Sequence, residues 1–165
     1  MRPRLEFIIA SAIVAALLQV AAFMGLAVSW WGMDAGSSLR RALMWLPAPM
    51  LAAGLAAWFM TNLHARAVET GKTWSAFGLA WRTVFLALVF YPAFVAGWLL
   101  LTALFDQWFA AQPATMQQTR EILPSIVQYS AIFSVVLGGL PALFIEYFLS
   151  RRYLHRIAGN TKSST

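Results

Sequence analysis

The chain has 165 residues, of which 61% are apolar and only 11% charged, against roughly 45–50% and about 25% in an ordinary soluble domain. With no cysteine at all, disulfides, thiolate metal centres and thiol redox chemistry are excluded. The net charge of +6 suits either a nucleic acid or an anionic membrane surface as neighbour, and the positions of the charges decide between them.

Four apolar stretches run through the chain: residues 7–31, 42–63, 83–105 and 122–149. Each exceeds or approaches the roughly 20 residues a helix needs to cross a hydrocarbon core about 30 Å thick. Inside lipid each segment must satisfy its own backbone polar groups, and no alternating pattern of about ten residues marks barrel strands. The expectation is therefore an all-α polytopic membrane protein. A single integral membrane domain, residues 1–165, forms a four-transmembrane-helix bundle.

In chain order, the first stretch carries Gln19 near its middle. It is longer than the apolar region of a cleaved signal, so it is expected to stay as an anchor. Residues 32–41 are expected to form a short turn opened by Asp34. The second stretch contains Pro47 and Pro49, and residues 64–82 follow as a basic loop. Trp74, Phe77, Gly78 and Trp81 share one helical face. That stripe is either a short interfacial helix or the projecting first turn of the third span. Pro92 interrupts the third span, and Gly138, Gly139 and Pro141 interrupt the fourth. A proline withdraws one helical donor, so Pro92, Gly139 and Pro141 are the candidate hinge positions, with a static kink as the alternative.

Helices in lipid associate through small residues that let backbones approach. Ser130, Ser134, Gly138 and Ala142 recur at every fourth position and form the candidate helix-packing ridge. Shorter rows occur at Ala48, Ala52 and Ala56 and at Ala12 and Ala16.

With four spans both termini share a side. Nine of the twelve Lys and Arg fall on that side, and only Arg40, Arg41 and Arg120 on the other. An excess of Lys and Arg marks the cytoplasmic face, so both termini are expected to be cytoplasmic, in a bacterial inner membrane. Trp30, Trp31, Trp45 and Trp108 then gather at the outer interface. The basic face is expected to meet anionic headgroups, not nucleic acid.

Glu146 is the one charge within the fourth stretch. An ionisable group inside a membrane helix is by default a functional candidate. Glu146 and Arg82 are expected to form an intramembrane ion pair or a proton site. Gln19, Tyr91 and Gln128 are each expected to hydrogen-bond within the bundle. The two histidines, with no Cys and no carboxylate cluster, do not suggest a metal. Gly71-Lys72-Thr73 lacks the upstream glycine of a phosphate-binding loop. No nucleophile or acid–base constellation appears, so no catalytic residue, cofactor or metal is expected. The expectation is a non-enzymatic accessory or assembly subunit of a membrane complex, or a self-associating protein. The alternative is a small oligomeric transporter or channel using Glu146 and Arg82.

Overall fold

A computed structural model describes residues 3–29, 32–109 and 116–162, and they are helical almost throughout, with no strand among them. The helices are α1 (Pro3–Ser29), α2 (Ala35–Met44), α3 (Pro47–Glu69), α4 (Ala76–Phe109), α5 (Met116–Phe133) and α6 (Gly139–Lys162). A single π-turn, Ser134–Gly138, joins α5 to α6. Three helical stretches are long and apolar enough to cross a membrane: α1, α4 and the α5–α6 rod. The α2–α3 pair, bent by 44°, makes a fourth if counted as one broken span.

The chain is more helical than its polarity suggests. Of residues 32–41, expected as a turn, 35–41 instead belong to α2. Asp34 caps that helix by accepting from the Ser37 amide at 2.9 Å, and the Ser37 hydroxyl also bonds its carboxylate. The Ser37 side-chain and backbone bonds hold the Asp34 carboxyl below the usual carboxylate range. The basic loop shrinks to residues 70–75, because α3 runs on to Glu69 and α4 starts at Ala76. Gly71, at φ +73°, makes the left-handed reversal that ends α3, a conformation only glycine adopts without steric cost. The Trp74–Trp81 stripe thus leads into the first turns of α4, not into a separate interfacial helix. Of the tryptophans expected at the outer interface, Trp30, Trp31 and the Trp108 side chain lie outside the described residues. Trp45 ends α2.

Neighbouring helices pack in the order α1, α3, α4, α6 and back to α1, leaving α1 diagonal to α4. The α1–α3–α4 side is tight. Ala48, Ala52, Ala56 and Ala57 of α3 are buried, and Gly54 brings α3 so near α1 that an added Cβ would touch that of Ala12 at 3.8 Å. At one end α2 leans on α1, and Trp98 of α4 donates its indole N–H to the Met44 carbonyl at 2.9 Å, fastening the corner between α2 and α3.

The start of α1 and the C-terminal half of α6 meet at the opposite end of the bundle. Glu6 of α1 pairs with Arg152 at 2.8 Å and with Arg156, and Arg4 donates to Asn62 at 2.6 Å. Behind this polar collar lies an aromatic floor. Phe7 meets Tyr153 with ring centroids 5.1 Å apart, and His64 sits between Trp74 and Tyr153 at 5.6 and 5.9 Å. Leu79, Ala57 and Met60 fill the space around them.

A candidate ligand cavity around Glu146

The α5–α6 rod does not close against α1 along its whole length. α6 packs on α1, but α5 packs on α4 and makes no comparable contact with α1. The space left is a cavity of about 700 Å³, inside the range of roughly 300–1,000 Å³ usual for small-molecule sites. Its walls are mainly apolar, with Val14 and Leu18 from α1, Leu88 from α4 and Ile126 from α5. It extends from Glu146, next to the aromatic floor, past Gln19 and Tyr91 to Leu26 and Trp45 at the far end.

The π-turn determines which residues face this space. In an α-helix every fourth residue advances by about 40° around the axis, so sixteen residues would carry Glu146 roughly 160° away from Ser130. A π-turn holds about 4.4 residues, so its four-residue step runs the other way by about 30° and limits the total to roughly 90°. Ser130, Ser134, Gly138, Ala142 and Glu146 consequently all line one cavity. The π-turn lies where the sequence is least able to keep α-helical geometry. Pro141 has no N–H to give the Leu137 carbonyl, and Gly138 and Gly139 add two flexible positions.

The row Ser130–Ala142, expected to be a packing ridge, therefore borders open space: a Cβ added at Gly138 would meet nothing within 4 Å. The Ser130 and Ser134 hydroxyls donate to the Val127 and Ala131 carbonyls, each at 2.9 Å. Their oxygens stay available as acceptors on the cavity wall. Of the other candidate hinge residues, Pro92 lies within the unbroken α4 and Gly139 begins α6.

Glu146 is buried, with 5% of its surface exposed. Its carboxylate accepts from Ser11 of α1 at 2.9 Å. The same Ser11 oxygen lies 2.9 Å from the Phe7 carbonyl. One hydroxyl proton serves only one acceptor at a time, so Ser11 chooses between its own helix and the carboxylate. Arg82, the expected partner of Glu146, is elsewhere: its guanidinium lies over the Trp74 ring at 4.3 Å. Among the described residues the ion pairs are those of Glu6 with Arg152 and Arg156, and none reaches Glu146.

Midway along the cavity Tyr91 donates to Gln19 Oε1 at 3.2 Å, across the diagonal from α4 to α1, as expected for these two polar residues. Thr83, at the level of Glu146, turns its hydroxyl to the Leu79 carbonyl at 2.9 Å. Among the described residues no group of three or more His, Cys, Asp or Glu stands close enough to hold a metal ion.

Sequence reasoning found Glu146, Gln19 and Tyr91 singly but missed Ser11, whose position is ordinary until α6 lies beside it. It also missed the cavity. The available signal was the alignment of Glu146 with the small-residue row, four positions after Ala142. Comparison of the chain with protein-family models, with curated proteins and with solved structures gave no match.

Proposed function

We propose that this chain is a small multi-pass transporter that takes a mostly apolar ligand into the centre of its bundle. The observation that carries this reading is the cavity of about 700 Å³, apolar along its walls and supplied with a few placed polar groups, Ser11, Gln19, Tyr91 and Glu146. Sites of this composition hold ligands by apolar burial and orient them by few polar contacts. The open flank between α1 and α5 faces the side on which lipid would lie, and gives a ligand a lateral way in.

The setting we propose is a bacterial inner membrane crossed four times. The start of α1 and the C-terminal half of α6 share one end of the bundle, which is consistent with an even number of crossings. That end carries most of the Lys and Arg, so the termini are assigned to the cytoplasm, against anionic headgroups. The role is binding and passage without chemistry on the ligand. An accessory subunit or a self-associating protein would be expected to turn small residues outward to a partner. The longest such row turns inward here, and this favours the transporter.

The test is native mass spectrometry of the full chain released from mild detergent. The expected result is a retained apolar adduct that disappears when the cavity is filled by Gly138→Trp. Bare protein, or an adduct that persists unchanged in that variant, would reject the reading.

A further inference from the structure

We infer that the cavity is built for a lipophilic cation, an apolar body bearing one positive charge, seated with that charge against the Glu146 carboxylate. This rests on the reading of the cavity as a ligand site and adds the chemical class of the ligand.

Three observations lead to it. The first is a missing counter-charge. Glu146 is buried and lines the cavity, and a buried carboxyl can carry its negative charge at low cost only when something cationic accompanies it; otherwise it takes up a proton. Of the basic side chains around this end of the bundle, Arg4 bonds Asn62, Arg152 and Arg156 pair with Glu6 and Arg82 lies over the Trp74 face, and among the described residues no ion pair reaches Glu146. Ser11 offers the carboxylate a hydrogen bond but no charge.

The second observation is the wall. Tyr91, Tyr129 and Phe133 bring aromatic rings to the cavity, and ring faces attract cations most strongly where water is excluded. Phe23 and Trp45 add two further rings, and most of the remaining lining is aliphatic, with a few hydroxyls and the Gln19 amide, so a ligand rich in hydroxyls or amides would leave most of its own unsatisfied. An anion would be repelled by Glu146.

The third observation is the floor. The Phe7, His64, Trp74 and Tyr153 cluster closes the bundle beyond Glu146. The carboxylate is thus at the inner end of a space that opens toward α5, and a cation entering there reaches it after its apolar body is already buried.

The experiment uses the full chain in lipid nanodiscs with radiolabelled tetraphenylphosphonium as the probe. Saturable binding is expected, displaced by the unlabelled cation and not by tetraphenylborate, which has the same shape and the opposite charge. Glu146→Gln keeps the size and the Ser11 contact and should weaken binding about tenfold or more. Glu146→Asp should retain it within a few-fold. Ala142→Phe, one turn away, leaves the carboxylate intact and should abolish binding by occupying the space. It supplies the comparison if Glu146→Gln does not fold. Unchanged affinity in Glu146→Gln, or equal displacement by tetraphenylborate, overturns the inference. Failure to bind the cation while native mass spectrometry still finds a neutral adduct overturns the cation and leaves the cavity reading intact. Neither cation nor adduct overturns both.

Discussion

Two rows of small residues at four-residue spacing lead to opposite outcomes in this protein. Ala48, Ala52 and Ala56 of α3 are almost wholly buried between α1 and α4, Ala56 completely so. Ser130, Ser134, Gly138 and Ala142 form the longer and more regular row, yet they border the cavity. A small side chain permits close approach but does not compel it. Whether the space is used depends on the facing helix. α3 is pressed on both flanks, whereas the π-turn and Pro141 keep the α5 half of its rod off α1. The same composition thus makes a seam in one place and a chamber in the other.

The largest expected effect comes from placing one bulky residue in each row. Ala56→Leu should cost about 1–3 kcal/mol by overpacking the seam, while Ala142→Leu enters open space and should leave stability nearly unchanged. Thermal unfolding of both variants in the same detergent measures the difference, and equal losses would erase the contrast between the rows. Next in size, Gly138→Ala should stabilise by roughly 0.5–1 kcal/mol, since the new methyl meets no neighbour and glycine is a poor helix former. A loss of stability there would mean that the row packs after all. The smallest effect belongs to Tyr91→Phe, which removes the bond to Gln19 across the cavity and should cost about 0.6 kcal/mol, the usual worth of a polar contact between membrane helices. A loss several times larger would make this contact, not the α3 seam, the main tie across the bundle.

The helical class and the apolar stretches were legible because composition and segment length are local properties. Glu146 was legible as a residue, since a lone charge in an apolar run is conspicuous, but its surroundings were not. Arg82 and Glu146 stand at similar depths in their apolar stretches, but depth leaves the angle around the helix axis undetermined. Arg82 instead faces Trp74. Asp34 opens its segment as the sequence suggests, but what it opens is a helix and not a turn, although Gly36, Ser37 and Ser38 have the composition of a turn. The π-turn had a visible cause in Gly138, Gly139 and Pro141. Its consequence, that five residues of the rod share one wall, required knowing how far the helix rotates across it.

The contact between Ser11 and Glu146 joins positions 135 residues apart, and the Glu6–Arg156 pair joins positions 150 apart. In a chain made from its N-terminus, α1, α3 and α4 exist before α6 does. The first helix must therefore wait, packed on α2 and α3 alone, until α6 has been synthesised. The cavity is then the last part of the molecule to acquire its walls. An interruption of synthesis before α6 would yield the alanine seam without the chamber.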